Sequence, residues 1–578
     1  MFKKTRIAAT LIALTAALVG VNKPAAAAQL VRYVDATAAG SGDGSTWTDA
    51  YTNADTALAA AVSGDSIWVA AGTYTPAAAP TFDLKAGVAV YGGFSGVETS
   101  LSQRDIAANI TALAPGAGGH IVTAMGVDQT AILDGFTIDG GVAPDDATAG
   151  LGGAGGGLYL VSASPTIRNC AITHNHARIG SGVYVIDGSP TFIDCDISLN
   201  SSANSGEGGG IYADATAGAS QTLTLIGCSV NLNTVFQQHF LTGNGGGIFA
   251  APEVDLVIDR CELNGNFAFH NGTFGNAPLG GAINATGGVV TITNSTLDEN
   301  YAAFGAGVAS AGPLTCINCL FEGNRAVAVA CGGPECNGAP DIPSGSGGAI
   351  SAGDATVINC TIVSNWAAKT AAGVAVTLGT VANSILWGNK TYPVCCGEDP
   401  LPLVRAQIDG GATILNSDIE GLLTPDPGQD PPNPADFPGS VEIDPMFVDP
   451  PVVTATFGQL SNVGDARLLA GSPAIDAGDN ALVPADVTTD LDGLPRFVDD
   501  PNTIDTGLGM APIVDMGAYE FGATPPGNPA DLNGDGVVNG ADLATLLTQW
   551  GTSGPADLNN DGVVNGADLA TLLTNWTV

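Results

Sequence analysis

Val257-Ile258-Asp259-Arg260-Cys261-Glu262-Leu263-Asn264-Gly265-Asn266 is one copy of a unit that recurs through the middle of the chain. Apolar residues stand three before the cysteine, at Ile258, and two after it, at Leu263. Alternate residues of a strand share a face, so an odd separation puts these two on opposite faces unless the chain bends between them. The residue before the cysteine is therefore read as a corner. Further copies centre on Cys170, Cys195, Cys228, Ser295, Cys319, Cys360, Ser384 and Ser417, with a looser one at Asp134-Gly135-Phe136. Their spacing runs from 24 to 41 residues, which describes a repeat with variable loops. Arg260 apart, the corner residue is always Asn, Asp or Gly. These types tolerate the left-handed backbone of a tight bend.

A second regularity lies five residues after the Cys or Ser in eight consecutive copies: Asn175, Asn200, Asn233, Asn266, Asn300, Asn324, Asn365 and Asn389. Stacked at a turn, such amides can hydrogen-bond to one another and to the backbone. Glycine-rich stretches follow, read as third strands: Gly208-Gly209-Gly210-Ile211, Gly245-Gly246-Gly247-Ile248, Gly280-Gly281-Ala282-Ile283 and Gly347-Gly348-Ala349-Ile350. One such turn cannot bury its apolar face alone; stacking supplies a continuous core. The predicted fold class is all-β, a right-handed parallel β-helix (solenoid), with a small α-helical calcium-binding domain at its C-terminal end. Cys170, Cys195, Cys228, Cys261, Cys319 and Cys360 share a register with serine and read as small core residues. Cys331, Cys336, Cys395 and Cys396 lie in loop insertions and are disulfide candidates in an exported protein. Three pairings are open, with bridging of adjacent residues strained.

Composition agrees with many turns. Glycine is 80 of 578 residues and charged residues are 12%, unlike a helical bundle or a charged tail. The formal net charge of −40 repels phosphate backbones, which argues against nucleic acid as a partner. Lys3, Lys4 and Arg6, an apolar run over 7–21 and the alanines at 25–28 read as a secretory signal peptide, residues 1–28. A 15-residue run is short of the roughly 20 that a membrane span needs. The mature chain is thus expected to be secreted, extracellular or at the cell surface, with no stable membrane span after cleavage.

The repeats over 121–422, with Phe321-Glu322-Gly323-Asn324 among them, resemble those of polymorphic outer-membrane proteins, a group that includes adhesins. The stretch 29–120, from Tyr33-Val34-Asp35 through Trp47 to Gly72-Thr73-Tyr74, looks like the start of such helices, with a short capping helix expected near 57–62. Covering the open end hides unpaired strand edges. Ser472-Pro473-Ala474-Ile475-Asp476, Asp490-Leu491-Asp492-Gly493 and Asp515 through Glu520 make 423–522 similar to the choice-of-anchor segment that closes many exported β-helices. A linker, 523–530, follows.

Residues 531–542 and 557–568 are near-identical loops set 26 residues apart. Oxygen-bearing side chains fall at loop positions 1, 3, 5, 9 and 12, with glycine at position 6, a spacing that wraps hard ligands around Ca²⁺. The expected ligands are Asp531, Asn533, Asp535, the Val537 carbonyl, Asn539 and Asp542. The second set is Asp557, Asn559, Asp561, the Val563 carbonyl, Asn565 and Asp568. Pro529 and Pro555 precede each loop and disfavour an entering helix, so each loop leads into one exiting helix. This duplicated arrangement over 531–578 resembles a type I dockerin, which implies a cohesin-like scaffold domain as partner. Gly540-Ala541 and Gly566-Ala567 lack the hydroxyls common at the contact positions of cellulosomal members. Calcium at 100 times its dissociation constant would stabilise such a module by about 2.7 kcal/mol.

No motif singles out a catalytic pair. Arg168 with Asp194 and Asp196, and Arg260 with Asp259 and Glu262, are the charged groupings a polysaccharide lyase or glycoside hydrolase could draw on. His174 and His176 flank one turn. Insertions on neighbouring turns concentrate Phe236, His239, Phe240, Phe267, Phe269, His270 and Phe274, which suggests a ligand platform; a satellite core beneath the loops is the plainer alternative. The expected function is a surface-attached β-helix that binds glycans or surfaces, with a polysaccharide-degrading enzyme as the alternative.

Overall fold

The computed structural model describes residues 30–77, 79–116, 119–143, 153–238, 243–271, 277–327, 345–368, 370–391, 406–425, 430–451, 464–523, 530, 532, 538–559 and 563–576. Parallel strands from successive turns stack into three sheets, the second made of five- and six-stranded parts linked by isolated bridges through Ser229. The first sheet is the longest, and includes Gln221–Ile226, Val254–Asp259, Val290–Thr293 and Val308–Ile317. The second includes Glu262–Asn264, Thr296–Asp298 and Leu320–Glu322; the third includes Thr234–Gln238, Phe267–Asn271 and Tyr301–Ala302. This is the expected solenoid.

The corners fall where the repeat put them. Asn169, Asp194, Arg260, Asn294, Asn318, Asn359, Asn383 and Asn416 all have positive φ, between 43° and 52°. Arg260, the exception in composition, adopts the same bend at φ 51°. The turn that carries the asparagine column is a second corner of the same kind: His174, Leu199, Leu232, Glu299 and Ser364, four after Cys170, Cys195, Cys228, Ser295 and Cys360, also have φ of 52–58°. The glycine runs are corrected. They form the third corner rather than strands, and the strands begin at the following Ile, as at Ile211 and Ile248. The cause is close stacking: a Cβ at Gly246 would lie 2.6 Å from the Gly281 carbonyl oxygen.

Inward residues form columns along the axis. Ile167, Phe192, Leu225, Ile258, Ile292, Cys316, Val357 and Val381 are successive register partners. All are buried in one continuous core. Each such side chain contributes on the order of 1.5–3 kcal/mol relative to exposure. The asparagine column is also wholly buried. Each amide donates to the next Asn Oδ1 and to a carbonyl of the preceding turn, and the run ends where Asn389 donates to Gln407.

At the N-terminal end, α1 (Ala54–Ala60) buries Ala54, Ala57 and Leu58 in the main core. It ends earlier than expected, and Val62 is exposed. The segment after 423 does not simply cap the opposite end. It lies along the second sheet, over the corner asparagines. Asn318 Nδ2 donates to the Thr489 carbonyl (2.7 Å), Asn383 Nδ2 to that of Asp479 (3.0 Å), and Ala518 N to Thr361 Oγ1 (3.0 Å). Phe447, Leu468, Ile475 and Met516 share a second core with Val363 and Ile385 of the coil. No helix among the described residues is long and apolar enough to cross a membrane.

Candidate functional site

The C-terminal loops lead into α2 (Gly540–Thr548) and α3 (Gly566–Thr574), as expected. Asn565 Oδ1 accepts from Ala567 N (2.8 Å), and Asp568 Oδ2 accepts from Asn565 N (2.7 Å). The other Asp568 oxygen accepts from Asn559 N (3.1 Å). Loop positions 9 and 12 therefore double as a capping box, and position 12 also holds position 3. Asn539 and Asp542 build the same box in the first copy. The Asn-x-x-Asp spacing carried that signal in the sequence. Both aspartates are wholly buried. Asp531, Asn533, Asp535, Val537 and Asp561 lie outside the described residues. The described donors, Asp557, Asn559, Asn565 and Asp568 in the second copy, are all oxygen-bearing and fit a hard cation.

Ala530, Val538 and Leu546 pack with Ala556, Val564 and Leu572 in a core of their own. The two triplets are 26 residues apart, so the module is built from two equivalent halves. Its outside is unusual for a small polar-looped unit: Leu547 is 53% exposed, Trp550 45%, Leu573 52% and Trp576 39%. The same two positions, one in the last turn of each helix and one just past its end, are apolar and open to solvent.

A second site was only half legible. Between the second sheet and the closing segment lies a cleft of about 380 Å³. Its walls include Arg260, Glu262 and Thr296 on one side and Asp490, Asp492 and Tyr519 on the other. Arg260 pairs with Asp259 (2.5 Å), and Asp492 with Arg467 (2.7 Å). Asp298 lies two residues along the same strand face from Thr296 and is the register partner of Glu322 on the next strand. Burial, reinforced by the Glu322 and Glu299 carboxyls, pushes Asp298 up to about 8. Burial likewise pushes Glu322 up to about 7, although Gly464 N donates to it (3.2 Å). Sequence pointed to Arg260 and Glu262. It could not find Asp298 and Glu322, which acquire their character from being stacked and covered.

The other candidates are rearranged. Arg168 does not turn to Asp194 or Asp196. It pairs with buried Asp134 (2.6 Å), which also holds Arg104 (2.8 Å). His174 Nδ1 lies 2.8 Å from Asp139 and His176 Nδ1 3.2 Å from Ser201 Oγ, so the two histidines do not converge. Of the proposed platform, His239, Phe240 and Phe274 lie outside the described residues, while Phe236 and His270 occupy third-sheet strands. Phe267 stacks on Tyr301, with centroids 4.5 Å apart and planes 20° apart, and on Phe269 at 5.5 Å. Phe267 thus has ring neighbours both on its own strand and on the next turn. A longer stack, Tyr159–Tyr184–Tyr212–Phe249, runs up the first sheet in the same manner. The six ladder cysteines are buried and unbridged, as is Cys316. Burial raises the Cys195, Cys316 and Cys319 thiols well above their ordinary range, which keeps them neutral and unreactive. Cys331, Cys336, Cys395 and Cys396 lie outside the described residues.

Residues 156–339 match the family model described as "Right handed beta helix region". The stacked parallel strands described within this stretch are consistent with that fold. Among solved structures the chain is similar to "Crystal structure of pectate lyase Pel9A", at 14% identity and a TM-score of 0.36, over 85% of this chain and 96% of that one. No curated protein matches.

Proposed function

We propose that this is an exported β-helix rod held to a protein partner through its C-terminal module, in a calcium-dependent manner. The observation that carries the reading is the duplicated exposed pair, Leu547 with Trp550 and Leu573 with Trp576, on a unit with its own small core. Apolar side chains open to water at equivalent places favour burial against a partner. A cohesin-like domain is the partner that the dockerin resemblance implies. Calcium would draw the loop oxygens together; Asp542 and Asp568 hold the loop amides and helix starts that set the angle of α2 and α3. Calorimetric titration of the full chain with Ca²⁺ tests this. Asp542→Ala with Asp568→Ala should remove two equivalents of bound calcium and abolish calcium-dependent capture by a cohesin-type domain. Unchanged stoichiometry in that variant would defeat the reading.

A second reading, action on polysaccharide, rests on Asp298. A carboxyl held protonated near neutral pH beside another carboxyl is the kind of acid that glycosidic cleavage uses. Incubation with pectate, alginate and neutral glycans, with and without calcium, should then release unsaturated or reducing ends, and Asp298→Asn should abolish it.

A further inference from the structure

Asp476 sits in the closing segment, wholly buried, on a bend with φ of 51°. Its surroundings are well ordered by hydrogen bonds on three sides. Its backbone N–H donates to Asp515 Oδ1 (2.7 Å). Its carbonyl accepts from Thr506 N and Gly507 N, both at 3.0 Å, and its Oδ2 accepts from Asp500 N at 3.3 Å. Oδ1 is buried and has no hydrogen-bond partner. Carboxylate oxygens of Asp476, Asp499 and Asp505 all lie within 4.8 Å of one another, and Asp499 and Asp505 are exposed. The loop from 499 to 507 thus folds back over Asp476 and brings two more carboxylates to it.

An ionised carboxylate oxygen left buried and unpartnered is costly, and two like charges beside it raise that cost. No Lys or Arg forms an ion pair with any of the three among the described residues; the nearby buried Arg496 is directed to Glu520, Asp515 and Gly517 instead. What would relieve all three carboxylates is a cation on the solvent side, reached through the two exposed aspartates. Calcium binds oxygen at about 2.3–2.6 Å, so two of its ligands stand at most about 5 Å apart, and every pair in the cluster falls within that limit. The remaining coordination positions would be filled by water.

We infer that Asp476, Asp499 and Asp505 form a calcium-binding site in the closing segment, separate from the C-terminal loops. Its structural effect would be to staple the loop over 499–507 onto Asp476. That residue adjoins Asp479, whose backbone exchanges two hydrogen bonds with Asn383 at the last turns of the coil (3.0 and 2.8 Å). The cation would therefore fasten the closing segment to the rod.

The test uses the full chain carrying Asp542→Ala and Asp568→Ala, so that the C-terminal loops do not contribute. Calorimetric titration with Ca²⁺ should show one remaining equivalent, and adding Asp499→Asn and Asp505→Asn should abolish it. Thermal melting provides a control for folding. In chelator the added substitutions should leave Tm unchanged or raise it, because they relieve repulsion; in calcium they should lower it relative to the parent. Titration with Mg²⁺ should give binding at least tenfold weaker. No residual calcium in the loop-disabled chain would overturn the proposal, and so would residual calcium that survives Asp499→Asn with Asp505→Asn. Either result leaves the attachment reading untouched, since that depends on the two equivalents removed first.

Discussion

Replacing Asn266 by alanine should cost about 4 kcal/mol. Asn266 is wholly buried and joins three turns. Its Nδ2 donates to the Val230 carbonyl (2.7 Å) and to Asn300 Oδ1 (3.0 Å). Its Oδ1 accepts from Asn233 N (3.2 Å) and Asn233 Nδ2 (3.1 Å). Asn233 Nδ2 keeps a bond to the Ile197 carbonyl, and Asn300 Oδ1 keeps one from Asn266 N, so those two groups remain partly satisfied. The Val230 carbonyl and Asn233 N–H lose the bonds the side chain made. Each stranded main-chain group costs roughly 1–3 kcal/mol, giving about 2–6 kcal/mol before any cavity is counted. Urea denaturation followed by circular dichroism measures the loss, with Val257→Thr, at an exposed strand position, as a control expected within about 0.5 kcal/mol. Hydrogen exchange at the Asn233 amide gives a local reading that holds even if the rod does not unfold in one step. A loss under about 1 kcal/mol, with Asn233 protection unchanged, would refute the claim that the amide column bears stability.

Three other outcomes are expected. Asp298 and Glu322, raised to about 8 and about 7, hold protons in the folded chain that the unfolded chain releases near pH 4. Their contribution is full below that pH and is lost as pH rises toward 8, so stability should fall across this window; Asp298→Asn with Glu322→Gln should flatten the slope in melts taken at several pH values. A thiol reagent followed by peptide mass mapping should leave Cys170, Cys195, Cys228, Cys261, Cys316, Cys319 and Cys360 unmodified in the native chain and label all seven in denaturant. Gly246→Ala should destabilise by about 1–3 kcal/mol, since its Cβ meets backbone at 2.6 Å, whereas Gly540→Ala, with open space around it, should be neutral or stabilising in the same thermal assay.

Repetition made the architecture legible from residues alone. A corner needing positive φ selects Asn, Asp or Gly locally, so Asn169, Asp194 and Gly227 announce the bend without tertiary help. The buried amide column was equally visible, because one offset recurs through eight turns. The duplicated C-terminal loop motif is visible in the sequence for the same reason: its oxygen-bearing residues are close together along the chain. The left-handed backbone just before the amide column was hidden, since Leu199 and Glu299 are not turn formers and accept positive φ only because the stack on either side demands it. The cleft and the aspartate cluster could not be read at all. Thr296 and Tyr519 line one cleft only after the closing segment has laid itself along the rod, and Asp476 nears Asp505 only once that segment has folded back on itself. Local backbone chemistry and periodicity determined the rod and its C-terminal loops. The burial, charge and proximity of distant residues, which set the acidity of Asp298 and the unmet charge of Asp476, were decided by tertiary packing.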